Sequence, residues 1–181
     1  MHERRFNREI ERLRDPERVA RLELEKVIRL ALENLIGVSS VLDVGTGSGL
    51  FAEHFAALGL QVTGLDANPE MLPAAQQYVP SGKFQTGTAE YLPFPDASFD
   101  LAFMGLLLHE TDNILRALKE AHRVANKRLV VLEWPDEEQP FGPPREHRLS
   151  FKKIFTLAQR AGFKNGKQTR LESLCLYLFE C

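Results

Sequence analysis

The sequence predicts an α/β fold, an open doubly wound sheet held between layers of helices. Three observations predict it. Short apolar segments alternate with segments of helical periodicity along the chain, the pattern that βαβ units leave in a sequence. One apolar segment, Val41-Leu42-Asp43-Val44, runs straight into the alternating glycines Gly45, Gly47 and Gly49. A second ends on an acid, in Gly64-Leu65-Asp66. Strand, glycine turn, helix and a strand tipped with a carboxylate is how an open α/β sheet builds a nucleoside pocket.

The elements follow in order. Asp15-Pro16 is a helix start, with Asp as N-cap and Pro in the first turn. That helix is expected to run to about Leu35-Ile36, carrying Val19, Leu22, Val27, Leu30, Ala31 and Leu35 on one apolar stripe. Before it, Arg4, Arg5, Arg8, Arg12 and Arg14 are mixed with Glu3, Glu9, Glu11 and Asp15, which reads mostly as a solvated helical face. Strands are expected at residues 40–44, 61–65, 83–86, 101–104 and 128–133. Between them, helices start near Gly49, Pro69 and Asp112, the first ending at Gly59 as a C-terminal glycine. Residues 135–144 make a long Pro-rich loop, and loops of that kind are usually functional or disordered. Ser150 caps a helix to Ala161-Gly162, and a closing hairpin ends at residues 174–179. Cys175 and Cys181 have the same parity on that last strand, hence one face.

Bulk properties fit one soluble enzyme domain over residues 1–181, large enough for a sizeable core. Hydrophobic residues make up 44% and charged residues 27%, ordinary for a globular chain. A net charge of -2 without a dense basic stripe argues against nucleic acid as an obligate partner. No apolar run approaches the ~20 residues of a membrane span, and the start lacks the apolar core of a signal peptide. Two cysteines are too few for a secreted disulfide framework. The expected location is cytoplasmic.

Two cofactor classes compete for the glycine loop. Gly47-Ser48-Gly49-Leu50-Phe51-Ala52 satisfies the dinucleotide pattern G-x-G-x-x-G/A, with Asp66 ~20 residues downstream. Asp43 separates them. A carboxylate two residues before the first glycine would repel a dinucleotide's phosphates and attract the ammonium of S-adenosylmethionine. Charge therefore favours S-adenosylmethionine. Asp66 is placed to accept hydrogen bonds from both ribose hydroxyls.

These residues carry a family resemblance. The stretch from Val41 to Leu72 resembles motif I and its acidic follow-up in the class I S-adenosylmethionine-dependent methyltransferases. The run from Ala89-Glu90-Tyr91 to Ser98-Phe99-Asp100 resembles the approach to their fourth strand, and the nearest branch is type 11, the ubiquinone/menaquinone-biosynthesis-like one. Leu108-His109-Glu110, Glu133-Trp134, the run from Gly142 to Arg148, Arg5-Phe6 and Asp15-Pro16-Glu17-Arg18 extend the likeness over nearly the whole chain. The resemblance implies a Rossmann-like, seven-stranded, three-layer αβα sandwich with a closing antiparallel hairpin. It divides the chain into an N-terminal helical lid at 1–36, a cofactor core at 37–134, and the loop, last helix and hairpin at 135–181. The cofactor residues it implies are Asp43, Gly45, Thr46, Gly47, Gly49, Asp66, Ala67, Met71, Thr88, Ala89, Glu90 and Gly105. Two departures stand out. Thr88 replaces the acid that usually receives the adenine amino group, and Ala125-Asn126-Lys127-Arg128 replaces a Pro-Gly-Gly turn, shortening that loop.

Methyl transfer from a sulfonium needs mainly alignment, with a base if the acceptor is a hydroxyl or an acidic carbon. Catalytic candidates sit after the fourth and fifth strands and in the Pro-rich loop. His109 is the base candidate because imidazole titrates near neutral pH, against a plain role, shared with Glu110, in capping the next helix. Glu133 is a second candidate, against a structural salt bridge for which Arg148 is one available partner. His147 and Arg148 complete the set; Arg148 either grips an anionic substrate group or pins the loop through a carboxylate. Convergence of His109, Glu110, Glu133 and His147 on a divalent metal is weighed and set aside, since their spacing matches no ligand motif. Phe6, Leu107, Leu108, Trp134 and Phe141 would line an apolar acceptor pocket or simply fill the core. The Asn/Asp-Pro-Pro-aromatic motif of amino and nucleobase methylation is absent where Gly105-Leu106-Leu107 stands. The expected activity is therefore methyl transfer to O, C or S of a small-molecule acceptor, with a homodimer left open. The alternatives are a non-catalytic S-adenosylmethionine-binding sensor or partner subunit and, last, a nicotinamide oxidoreductase.

Overall fold

The computed structural model describes residues 10–181; Arg4, Arg5, Phe6, Arg8 and the acids among them lie outside that range. Its strands are β1 (Ser40–Val44), β2 (Gln61–Asp66), β3 (Lys83–Thr86), β4 (Phe99–Gly105), β5 (Ala125–Glu133), β6 (Lys164–Arg170) and β7 (Cys175–Glu180). They form one seven-stranded sheet in the order β3-β2-β1-β4-β5-β7-β6. The first five run parallel, and β7 lies antiparallel between β5 and β6. The helices are α1 (Ile10–Leu13), α2 (Pro16–Arg21), α3 (Leu24–Leu32), α4 (Leu50–Ala57), α5 (Leu72–Tyr78), α6 (Ile114–Val124) and α7 (Phe151–Ala161). Among the described residues, no helix is long and apolar enough to cross a membrane.

Successive residues of a strand face opposite sides of a sheet, and here both sides are covered. On β5, Leu129 and Val131 pack with α6 and α7, while Val130 and Leu132 pack with α3 and α4. On β7 the same alternation sends Tyr177 and Phe179 one way and Leu176 and Leu178 the other. Strands buried on both faces read as near-continuous apolar runs, which is why they are legible in the sequence. Cys175 and Cys181 do share a face, the one packed against α7.

The sheet also decides where a ligand can bind. Strand order reverses between β1 and β4, and open α/β sheets bind ligands at such a switch point, beyond the carboxyl ends of the strands. A cavity of about 350 Å³ lined by Gln61, Lys83, Ser98 and their neighbours lies at the other, amino ends. It is far from the glycine loop.

Three expectations need correction. The first long helix is broken: Glu23 is left-handed, with φ 47°, between α2 and α3, and the second piece stops at Leu32. In one continuous helix Leu22 and Leu24 would point to nearly opposite sides; the break buries both. The Glu23 carboxylate offsets some of the strain by accepting from Lys26 Nζ and Glu172 N, both at 2.7 Å. Second, residues 125–128 form no loop at all, because β5 starts at Ala125 directly after α6. Third, β4 is longer than the apolar run 101–104, reaching from Phe99 to Gly105. The cap assignments hold: Asp15 accepts from Arg18 N and Ser150 from Lys153 N, and Gly162 ends α7 with φ 113°.

Candidate active site

The glycine loop leaves β1 with three positive φ angles, 72° at Gly45, 52° at Gly47 and 75° at Gly49, which side chains rarely tolerate. Each glycine also makes room for a neighbour. A Cβ would come within 2.8 Å of Leu107 Cδ1 at Gly45, 3.3 Å of Leu13 Cδ1 at Gly47 and 2.9 Å of Ala75 Cα at Gly49. The last is backbone, so Gly49 serves the close approach of α5 to α4. The other two contacts are terminal methyl groups that can swing aside.

Two carboxylates flank the loop. Asp66 ends β2 and accepts from Gly47 N at 2.7 Å through one oxygen and from Asn68 N at 2.8 Å through the other. The carboxylate keeps acceptor capacity beyond these bonds for a hydroxyl. Burial pushes the Asp66 carboxyl up, and the backbone N–H groups of Asn68, Gly47 and Ala67 pull against it. Asp43 is 2% exposed, its Oδ2 accepting from the Thr46 hydroxyl at 2.7 Å. Burial raises its carboxyl to about 7, opposed by the Thr46 bond. The expected role of Thr46 is thereby modified: its hydroxyl is turned inward to Asp43.

Beyond β3, Thr88 pairs with Tyr91 in an isolated bridge, and Ala89 is buried. Glu90 accepts from Asn113 N at 3.2 Å, joining this segment to the start of α6. Met71 is buried below the loop after β2, and Ala67 is exposed at its tip.

At the ends of β4 and β5 the structure joins two residues that the sequence left separate. His109 Nδ1 lies 2.9 Å from Glu133 Oε2, and the backbone N–H groups of His109 and Trp134 also donate to that carboxylate at 3.2 Å. Glu133 is fully buried. A carboxylate at Nδ1 makes that nitrogen the donor, which leaves Nε2 as the basic atom; Nε2 is 3.6 Å from Glu110 Oε1. Burial alone would favour neutral imidazole, but the charge and hydrogen bond of Glu133, helped by Glu110, outweigh it and raise the His109 pKa. Two details of the plain readings change: Asn113, not His109 or Glu110, caps α6, and the ion-pair partner of Glu133 is His109 rather than Arg148.

Arg148 is buried and spends its fork on the Pro-rich loop. It donates to the carbonyls of Pro143 at 2.9 Å, Glu137 at 2.8 Å and Phe141 at 2.8 Å, and to Gln139 Oε1 at 2.9 Å. It pins the loop through carbonyls rather than the expected carboxylate, and it has little left for a substrate anion. Trp134 is sandwiched under that loop: its ring is 6.0 Å from Phe141, and a Cβ on Gly142 would meet it at 2.9 Å. His147 is half-buried in a short turn at 145–147. Leu108 is core, while Leu107 packs on Gly45. Among the described residues no three His, Cys, Asp or Glu side chains are grouped as a metal site.

Arg14 is the residue that sequence reasoning missed. Expected on a solvated face, it lies across the glycine loop, its Nη1 2.7 Å from Glu53 on α4, its Nη2 donating to Ser48 O at 2.9 Å and its guanidinium 3.2 Å from the Tyr78 ring centre. Arg18 follows it inward, donating to Leu13 O at 2.7 Å. No spacing in the sequence signals either contact. The residues present fit S-adenosylmethionine: an acid with spare acceptor positions at the tip of β2, a loop built of glycine, and a buried acid beneath it.

Comparisons with known proteins agree with this geometry. A model of the type 11 methyltransferase domain matches residues 42–130. The malonyl-[acyl-carrier protein] O-methyltransferase of Erwinia billingiae is 43% identical over 48% of this chain and 34% of its own length. The demethylmenaquinone methyltransferase of Chlorobaculum parvum is 40% identical over 46% and 35%. The chain thus spans about a third of the length of these curated relatives. A solved S-adenosylmethionine-dependent methyltransferase from Aquifex aeolicus superposes with a TM-score of 0.81 at 27% identity, covering 94% of this chain and 95% of that one.

Proposed function

The chain belongs to the class I S-adenosylmethionine-dependent methyltransferases, in their type 11 branch, and from that membership we propose that it methylates an oxygen, carbon or sulfur atom of a small acceptor with His109 as base. The observation that carries the base is the contact of His109 Nδ1 with the buried Glu133 carboxylate at 2.9 Å. S-adenosylmethionine, when bound, supplies a methyl group already activated by the sulfonium. The work left to the chain is binding, orientation and the movement of one proton.

Asp66 would accept from the ribose hydroxyls, and Thr88 with the Ala89 N–H would face the adenine ring. Carbonyls near Gly105 and the buried Asp43 would balance the ammonium. Glu133 holds the imidazole in one tautomer, so that His109 Nε2 takes the proton released by the acceptor as its new bond to carbon forms. Arg148 and Trp134 act on the acceptor side only by shaping the loop at 135–144. One relative is named an O-methyltransferase, which supports oxygen acceptors as the first class to screen.

Isothermal titration with S-adenosylmethionine and, separately, NAD is the first test. Binding of S-adenosylmethionine alone is expected, lost in Asp66→Ala with the fold retained; binding of NAD alone would sink the proposal. With an acceptor in hand, His109→Ala should cost about 10²–10⁴ in kcat. Glu133→Gln should move the acid limb of the pH–rate profile to lower pH, since it removes the charge that raises His109. An unmoved limb would exclude the dyad, and tight binding with no turnover across a broad screen would favour the sensor.

A further inference from the structure

Residues 149–170 carry Lys152, Lys153, Arg160, Lys164, Lys167 and Arg170 and no acid, although the whole chain has a net charge of -2. These cations are spaced too widely to read as a stripe in the sequence. The fold gathers them, because α7 leads straight into the edge strand β6, and all of them are exposed. Lys167 pairs with Glu33 at 3.3 Å, and Arg170 pairs with Glu137. Among the described residues, Lys152, Lys153, Arg160 and Lys164 make no ion pair. Lys153 and Arg160, two turns apart, share one face of α7, with Lys152 beside them.

Two of these lysines stand where they weaken the helix. Lys152 and Lys153 lie in the first turn of α7, which holds no acid, and the positive end of a helix dipole disfavours cations there. Next to them Phe151 is 47% exposed, yet its ring is held, 4.2 Å from the Phe155 ring and 6.5 Å from that of Tyr177. Two misplaced charges and an uncovered aromatic ring in one turn are local conflicts of the kind that proteins keep for function.

We propose that the outer face of α7 and the start of β6 dock on an anionic lipid surface, with Phe151 entering the headgroup layer and Lys152, Lys153, Arg160 and Lys164 facing the charged lipids. Exposed lysines and arginines are drawn to such a surface one by one, without a shaped partner. An acidic protein fits less well, since protein interfaces deplete Lys and bury Arg and aromatic rings at their centre. Here three of the four unpaired cations are lysines on a convex flank. Single-stranded nucleic acid is held on successive aromatic rings, and Phe151 is the one exposed ring of this stretch. Arg148 precedes Phe151 by three residues, so docking brings the Pro-rich loop and the acceptor side of the site close to the lipid.

The test is co-sedimentation of the full chain with vesicles, either of equal parts phosphatidylglycerol and phosphatidylcholine or of phosphatidylcholine alone. Binding to the anionic vesicles only is expected, and it should fall steeply at about 0.5 M salt. Lys152→Glu with Lys153→Glu should weaken it about thirtyfold or more, and Phe151→Ser about threefold. Acids suit the first turn of a helix, so the double variant should melt no lower than the parent, which separates lost docking from lost folding. S-adenosylmethionine affinity should be unchanged in all of them. No binding to the anionic vesicles, equal binding to both kinds, or full binding by the double variant would overturn the proposal. Tighter binding to a short DNA duplex or to poly-glutamate than to the vesicles would also overturn it and assign the flank to that partner.

Discussion

Asp43 illustrates how a residue chosen for binding taxes the fold. Its carboxyl is buried and raised from 3.8 to about 7, chiefly by burial, with the charge of Asp66 adding to it. Between those values the folded chain keeps a proton that the unfolded chain has lost. Stability is therefore complete below about pH 4 and falls as pH rises toward 7. The full penalty is on the order of 4 kcal/mol. Asp43→Asn should thus gain stability over the parent as pH goes from 5 to 8, read as the gap between their urea midpoints. An equal gap at both values would mean that Asp43 titrates alike in both states. The acid itself was legible, since its place before the glycines sets the sign of the ligand. Its bond to Thr46 was not, because a side-chain direction inside a turn depends on the packing around it. The same holds for the pairing of His109 with Glu133, which are 24 residues apart.

Elements with local causes were legible, and those with remote causes were not. The starts at Pro16 and Phe151 follow from Asp15 and Ser150 capping their own first turns, an interaction spanning three residues. The break at Glu23 follows from burial of both Leu22 and Leu24 against the sheet, which no local propensity records. The loop at 135–144 belongs with the remote causes. Its backbone carbonyls gather on one guanidinium, so Arg148 stands where a secondary-structure ladder would otherwise supply donors. Arg148→Ala should cost about 2–3 kcal/mol and expose the loop to proteolysis between Pro135 and Pro144. Arg148→Lys should not rescue it, because an ammonium cannot reproduce the planar fork. A loop as resistant as the parent's in Arg148→Ala would show that it is ordered from elsewhere, with Trp134 the next candidate.

The molecule as a whole is a sheet with two separate cores. Phe55 lies in the one under α3 and α4, and Phe179 in the one under α6 and α7. Each is at most 2% exposed, so truncation to Ala should cost about 3–5 kcal/mol. With the sheet between them, the two losses should add to within about 0.5 kcal/mol in a double variant measured by chemical denaturation. A larger deviation would mean that the sheet transmits strain between its faces. At this scale the sequence by itself determined the α/β class, the strand positions, the glycine loop and the acids beside it, because each depends on periodicity or on neighbours a few residues apart. Tertiary structure alone decided that Glu133 serves His109, that Arg148 serves the loop and that Arg14 closes on Ser48 and Glu53. Those partners come from segments 24, 5–13 and 34–39 residues away. Such groups find each other only once the sheet has brought its carboxyl ends together, and for the buried Glu133 and Arg148 the loss of water then makes a partner obligatory.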